Sequence, residues 1–397
     1  MSFRNLCMIS AASLGALAMM SMPAAVACTS LAYTDANGDV YFGRTLELQM
    51  ELPYQLVYLP AGVDLESVVD GQPELDYTTH YAIFGIAMPA RIPGEGEQLG
   101  LEDLKPLEAV NEAGLTFSLL AYPSVEGPQH MVEGTQAVLS AIDLGAWALG
   151  QFATVDEVKT ALADQPVRLE PLAMLGGAQP PIHFVLHDRA GASIVIEWHQ
   201  GNMMVYDNPV GVMTNGPQFS WHLTNLNNYT FLSNVDQSTG QFGGLAVSQP
   251  DSGIATAGLP SSNTSVGRFV RAVYYSQFAE KVDDPDQAVR TLSHIMNNFD
   301  RPRGITIDET GGGEGDAIAA LAPADASGYT TEYTSWTTLH DLERGLFFVR
   351  TYAGLNYTMF DLGKLAGQEV PLVMPLSALD GMAGDGTELL TASHGQQ

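Results

Sequence analysis

The chain opens with Arg4, runs through an apolar stretch from about Leu6 to Met20, and reaches a small-residue exit at Ala25-Val26-Ala27, directly followed by Cys28. That order of charge, apolar run and A-x-A is the order of a secretory signal peptide, too short and wrongly flanked for a spanning helix. Cleavage after Ala27 discards Cys7 and leaves residues 28–397 with one cysteine, at the new first position. An exported chain is free to use disulfides; this one has none to form, so its fold must rest on an apolar core. The composition allows it: 46% of the 397 residues are hydrophobic, which excludes global disorder. No later stretch approaches ~18 apolar residues, so the processed chain is expected to be soluble, periplasmic or secreted, and free of the membrane.

Charge narrows the partners. With 16 basic and 45 acidic residues and a net charge of -29, the chain cannot readily present the basic face that nucleic acids require. Anionic lipid surfaces are disfavoured for the same reason.

Three readings of Cys28 compete. It is an indifferent cysteine beside the cleavage site, though a lone exposed thiol is an oxidation liability. It is the acylated cysteine of a lipoprotein anchor, for which Ala25 stands where Leu is usual. Or it is an N-terminal nucleophile, whose thiol attacks an acyl carbon while its own α-amine takes the proton. A free α-amine has a pKa near ~7.7–8, so much of it is unprotonated near neutral pH. The third reading is favoured.

Along the chain, Cys28–Thr34 and Asp39–Leu48 read as two strands around Asn37-Gly38, a strong hairpin signal. A two-residue turn there sets Cys28 opposite Glu47 on one face, turns Arg44 away, and leaves Gly43 to re-aim Arg44 through a bulge. Further strands are predicted at Gly114–Tyr122, His183–His187, Ser193–Trp198, Met203–Tyr206, Gly211–Thr214, Tyr333–Leu339, Leu346–Thr351 and Tyr357–Leu362. Helices are predicted over Thr135–Phe152, Val155–Ala163 with a Thr154–Glu157 capping box, Thr264–Lys281, and Pro285–Asn298 with Pro in its first turn. Strand blocks alternating with helix pairs indicate one α+β domain over 28–397, built of stacked antiparallel sheets covered by helices.

From Cys28 onward the chain resembles the choloylglycine hydrolase family, which includes conjugated bile acid hydrolases, penicillin V acylases and acyl-homoserine-lactone acylases. The resemblance lies in Cys28-Thr29-Ser30 with Gly43-Arg44-Thr45-Leu46-Glu47; in Asn111-Glu112-Ala113-Gly114-Leu115; in Tyr206-Asp207-Asn208-Pro209, Thr214-Asn215-Gly216-Pro217 and Trp221-His222-Leu223-Thr224-Asn225-Leu226; and in Gly258-Leu259-Pro260 with Ser265-Val266-Gly267-Arg268-Phe269. It implies an N-terminal-nucleophile (Ntn) hydrolase αββα sandwich that cleaves a linear amide through a thioester on Cys28.

The resemblance also implies roles. Cys28 is the nucleophile and Arg44 lowers its pKa. Glu47 holds the α-amine, and Asn215 with a main-chain N–H near Ala121 binds the oxyanion. Arg268 orients Asn215 or balances Glu47. Two positions depart from the pattern: Glu47 stands where the family usually has Asp, and Ala121 where penicillin acylases tend to have Tyr and bile salt hydrolases Asn. The implied substrate is a small N-acyl amide, penicillin V or an acyl-homoserine lactone ahead of a conjugated bile acid. The acyl pocket is expected near Met50–Tyr58 and after Tyr122, and a homotetramer is implied by family analogy.

Taken without Cys28, the same residues have plainer readings: Arg44 and Glu47 as a surface ion pair, Asn215 before Gly-Pro as a turn residue, Arg268 as a helix-start cation. His183, His187, His199 and His222 lack ligand spacing, so no metal is expected, and no cofactor. Gly311-Gly312-Gly313-Glu314-Gly315-Asp316 reads as a flexible loop rather than a phosphate cradle.

Overall fold

The first two strands, β1 (Ala27–Thr34) and β2 (Val40–Leu48), pair as an antiparallel hairpin, but with a longer turn than Asn37-Gly38 alone predicts. The Asp35 N–H donates to Asp39 O at 3.0 Å, and Asp35 Oδ1 accepts from Asn37 N and Asp39 N at 2.8 and 2.9 Å. The carboxylate thus caps a loop through Ala36, Asn37 and Gly38, with Gly38 at φ +94°, a conformation that costs glycine little. Adding one residue to the turn shifts the register by one. Cys28 therefore faces Leu46, Ala27 faces Glu47 and Ser30 faces Arg44. Because side chains alternate along a strand, the shift exchanges faces: Arg44 shares the face of Cys28, and Glu47 takes the other. The predicted pairing of Cys28 with Glu47 is corrected accordingly.

This computed structural model describes residues 27–91, 100–123, 125–172, 175, 177–309 and 329–393. The leader before Ala27 and the Gly311–Asp316 segment lie outside them.

The remaining sheet strands are β3 (Gln55–Leu59), β4 (Ile83–Pro89), β5 (Leu104–Asn111), β6 (Thr116–Ala121), β7 (Ile182–His187), β8 (Ser193–His199), β9 (Asn202–Asp207), β10 (Val212–Met213), β11 (Tyr333–Asp341), β12 (Leu346–Thr351), β13 (Thr358–Asp361), β14 (Leu372–Pro375) and β15 (Gly384–Asp385). They form a seven-stranded sheet in the order β10-β1-β2-β11-β12-β13-β15 and an eight-stranded sheet in the order β9-β8-β7-β6-β5-β4-β3-β14. Helices α1 (Leu144–Gln151) and α2 (Val155–Leu162) cover the second sheet. After the short α3 (Phe219–Asn225), α4 (Ser265–Phe278) and α5 (Pro285–Met296) cover the first. The layer order is αββα, as expected. Every residue of β2 and β11 is buried, since one face meets the other sheet and the other face meets helices.

Helix ends follow their capping residues. Thr154 and Glu157 form the predicted box at α2, Asp284 Oδ1 accepts from Gln287 N at 2.8 Å, and Thr264 caps α4. The helix predicted from Thr135 starts only at Leu144. Residues 139–143 are instead claimed by tertiary bonds: Leu139–Ser140 pairs with Val167–Arg168, Ser140 N donates to Ser67 Oγ at 2.9 Å, and Asp143 takes Ser67 and Lys105. Gly43 makes no bulge, because the β1–β2 register runs unbroken past it. A Cβ there would lie 2.8 Å from Met296 Cγ and Sδ, so Gly43 serves the close approach of α5 to β2. The bulge lies on β11, between Thr334 and Trp336.

Candidate active site

Cys28 lies near the start of β1, 1% exposed, with its side chain turned toward the second sheet. Ala27 is still joined to it, so the Cys28 nitrogen is an amide here. Arg44 projects from the same face. Its Nη2 lies 3.7 Å from Cys28 Sγ and also donates to Leu119 O; its Nη1 donates to Leu107 O and to Glu108 Oε2, the latter at 3.2 Å. Glu108 is wholly buried and accepts in addition from Ser118 Oγ and from His340 Nε2, the latter at 2.8 Å. A chain of hydrogen bonds runs from His340 through Glu108 and Arg44 to the thiol, bridging the two sheets.

Burial pushes the Cys28 thiol up from its ordinary range, and Glu47 adds to the rise. Arg44 beside it and the main chain of Ala121 pull the other way. The net direction is upward, because desolvation of a thiolate outweighs one cation at this depth. Arg44 exerts the expected lowering influence, but burial outweighs it.

Asn215 follows β10, two residues beyond the Ser30–Met213 pair, where continuing the register carries it opposite Cys28. Its Oδ1 accepts from Cys28 N at 3.0 Å and from Arg268 Nη2 at 2.6 Å, while its Nδ2 donates to Ala121 O at 2.8 Å. An amide has two N–H donors, so one hydrogen remains for a ligand. Arg268, in the first turn of α4, reaches Cys28 O and Thr29 Oγ1 as well. Burial holds its pKa down to about 10, with the nearby Arg301 acting the same way and Glu47 and Glu332 opposing.

Glu47 does not hold the Cys28 nitrogen, which is taken by Asn215. One Glu47 oxygen accepts from Thr334 Oγ1 at 3.1 Å and the other has no partner. Burial raises its carboxyl, while Arg268 and Arg301 lower it. The missed acid at this position is Glu332, which accepts from Ala27 N and pairs with Arg301; burial lifts it to about 7.

Sequence reasoning also missed the supports of Asn215. His222 Nε2 lies 2.9 Å from Asn215 O, His183 Nε2 lies 3.0 Å from Thr214 O, and Asn215 N donates to Ser265 Oγ at 2.9 Å. Burial holds His222 down to about 4, so it is a neutral donor to that carbonyl. The signal for His222 was in the stretch Trp221–Leu226; nothing in the spacing marked Glu108 or Glu332.

The thiol opens into an apolar cavity of about 120 Å³ whose walls include Leu48, Met50, Leu52, Tyr54, Met88 and Leu119. The Met50–Tyr54 wall was expected. Among the described residues the far wall is Ile142, Leu172, Leu175 and Pro180–Ile182, all later in the chain than Tyr122. Among the described residues, the one group of three or more His/Cys/Asp/Glu side chains close enough to share an ion is Glu66, Glu74 and Asp76, exposed on a separate hairpin.

Residues 28–367 match the linear amide C–N hydrolases of the choloylglycine hydrolase family. A bile salt hydrolase/transferase from Clostridium perfringens is 26% identical over 350 residues, 86% of this chain and 95% of that protein. A penicillin V acylase from Pectobacterium atrosepticum is 26% identical over 373 residues, 90% of this chain and 86% of that protein. In structure, a conjugated bile acid hydrolase variant from Clostridium perfringens superposes with a TM-score of 0.70 at 24% identity, covering 88% of this chain and 97% of the other. A penicillin V acylase from Agrobacterium tumefaciens gives 0.68 at 22%, covering 91% and 96%. These likenesses identify the fold as the Ntn-hydrolase αββα sandwich.

Proposed function

The chain belongs to the choloylglycine hydrolase family and is an amidohydrolase acting on linear amides, and on that premise we propose that Cys28, freed at its α-amine, cleaves the phenoxyacetyl amide of penicillin V or a related N-acyl amide. The reading rests on one observation: Cys28 Sγ sits at an apolar cavity with Arg44 Nη2 3.7 Å away and Asn215 on its own nitrogen.

The thiol gives its proton to the α-amine as sulfur bonds to the acyl carbon. The carbonyl oxygen becomes an oxyanion taken by the free Asn215 Nδ2 hydrogen, with the main chain near Ala121 as second donor; removing one such donor typically costs ~10²–10³ in rate. The C–N bond breaks as the α-ammonium returns its proton to the leaving amine. Water, deprotonated by the amine, then splits the thioester and restores the thiol. Arg268 orients Asn215, and with Arg301 it balances Glu47 and Glu332. The unpartnered Glu47 oxygen supports a place for the new ammonium nearby, after a small shift of the terminus.

The apolar lining supports a compact apolar acyl group: the cavity, about 120 Å³, is somewhat smaller than the ~150 Å³ that encloses a benzene ring, so a phenoxy ring would have to reach toward its open mouth. Acyl-homoserine lactones and conjugated bile acids stand as the alternatives. The burial of Cys28 supports the hydrolase over a lipoprotein, because an acylated cysteine must reach out of the fold. Export with cleavage after Ala27, a periplasmic or secreted location and a homotetramer complete the reading.

The test is intact mass and turnover. The exported chain should start at an unmodified Cys28 and hydrolyse penicillin V, and Cys28→Ser should lose that activity. An acylated terminus, or unchanged turnover in the serine variant, overturns the proposal.

A further inference from the structure

In antiparallel pairing, directly opposed residues share a face of the sheet. Leu46 pairs with Cys28 on one side and with Trp336 on the other, and Trp336 pairs with Thr351. Cys28, Leu46, Trp336 and Thr351 therefore form one row across four strands. At about 4.8 Å between strands, Trp336 stands ~10 Å from the thiol's strand. It is there that a second cavity opens, about 600 Å³, walled by Trp336, Thr351, Ser335 and Leu376 and sharing Leu52 and Tyr54 with the acyl cavity. An amide held at Cys28 has two halves. The narrow apolar cavity suits the acyl half, so the wider one is where the amine half emerges.

Its lining carries one cation, Arg303. The guanidinium carbon lies 3.9 Å from the Tyr333 ring centroid and 5.2 Å from that of Tyr352, and Arg303 N donates to Tyr352 Oη at 3.2 Å. Two rings and a main-chain bond hold it in one orientation. Its neighbours in sequence and space are already neutralised, Arg301 by Glu332 and Arg350 by Asp300. Among the described residues no carboxylate lies within ion-pair distance of Arg303. In a chain with a net charge of -29, a preorganised arginine without an acid at a cavity wall is itself unusual. Two acids also line the cavity: Asp380, which accepts from Thr351 Oγ1 at 2.7 Å, and Glu51 at the exposed rim.

We propose that this cavity is the amine-side subsite and that Arg303 binds a carboxylate on the leaving amine, so that the enzyme selects N-acyl amino acids and carboxylated β-lactam amides over neutral lactone or simple amides. The inference rests on the hydrolase reading above and names its substrate class. A planar guanidinium matches a carboxylate with two parallel donors, and with five N–H donors Arg303 can contact Tyr333 and still offer such a pair. Glu51 is the opposing charge: it weakens the field at the subsite without touching the thiol.

The test compares N-phenoxyacetylglycine with N-phenoxyacetylglycinamide on the processed enzyme, which changes only the charge of the amine half. The carboxylate should be preferred by about tenfold in kcat/KM, the lower range for a hydrogen bond to a charged group, expressed in KM and diminishing with salt. Arg303→Gln should abolish the preference, Arg303→Lys should restore part of it, and Glu51→Gln should enlarge it. Equal Cys28-dependent turnover of both compounds, or a preference that survives Arg303→Gln, overturns the subsite and leaves the hydrolase standing. No Cys28-dependent turnover of either compound removes the hydrolase reading, and this subsite with it.

Discussion

Arg44 and Glu108 meet in the gap between the two sheets, Nη1 to Oε2 3.2 Å, with neither side chain reaching solvent. Arg44 is the sole side-chain cation hydrogen-bonded to the thiol among the described residues, and Glu108 is what fixes its direction. Arg44→Gln should move the pH profile of Cys28 alkylation upward, since its main opposing influence against burial is gone. The variant should also lose about 3–5 kcal/mol in urea unfolding, because Glu108 is left as an uncompensated buried charge. The double variant Arg44→Gln, Glu108→Gln should recover part of that stability while the alkylation profile stays shifted. Equal stability of single and double variants would contradict the pairing.

His222 predicts an acid weakness. Its pKa is held down to about 4 in the fold, against an ordinary value near ~6.5 in the unfolded chain. Between those values the unfolded chain binds more protons than the folded one, so stability rises with pH and is lost as pH falls from ~6.5 to ~4. The slope from this group approaches ~1.4 kcal/mol per pH unit. His187, held down to about 3 by burial, extends the loss further. His222→Gln keeps a donor for Asn215 O and should flatten the slope in this window, measured as the urea midpoint against pH.

Acyl length is set by the cavity wall. Met88 is half-buried and lines the apolar cavity, so Met88→Ala lengthens it at small cost to the core. Turnover of acyl groups two or three methylenes longer should rise relative to the phenoxyacetyl group by roughly tenfold, the scale of one or two methylenes in a hydrophobic pocket. An unchanged ratio would mean that the acyl half lies elsewhere.

Gly43 carries a stability prediction distant from the chemistry. Its missing Cβ would meet Met296 Cγ and Sδ at 2.8 Å and Leu292 Cδ1 at 3.1 Å. Gly43→Ala should destabilise by about 1–3 kcal/mol, the usual result of overpacking. Met296→Ala in the same chain should be less harmful than the two single changes added together, because the sites are in contact. Thermal unfolding of the three variants checks this.

Much of the site is legible in the chain itself. A single cysteine after an A-x-A exit, Arg44 and Glu47 on the following strand, Asn215 before Gly-Pro, and Arg268 after Ser265 are local patterns with local meaning. The strands from Ser193 to Asp207 and from Tyr333 to Asp361 are visible by alternation and turn residues, and α2 and α5 by their caps. The strands between Gln55 and Asn111 are not: Pro106 interrupts β5 and Glu108 sits where an apolar residue would mark a buried face. The false start of α1 at Thr135 has the same root, since Ser67 and Lys105, far away in sequence, bind residues that on their own favour helix.

What the sequence by itself determined is the set of reactive groups and the layer order that carries them. Only the tertiary structure decided which groups meet. Asp35 lengthened the turn by one residue, which moved Arg44 onto the face of Cys28 and sent Glu47 to the helix side; a strand alternates with period two, so a single residue of loop decides every contact along it. The partners that fix these groups, Glu108 for Arg44, His222 for Asn215, Glu332 for Arg301, come from another strand, a helix and a loop. Buried charges must find their counter-charges across space, and no spacing along the chain records that distance.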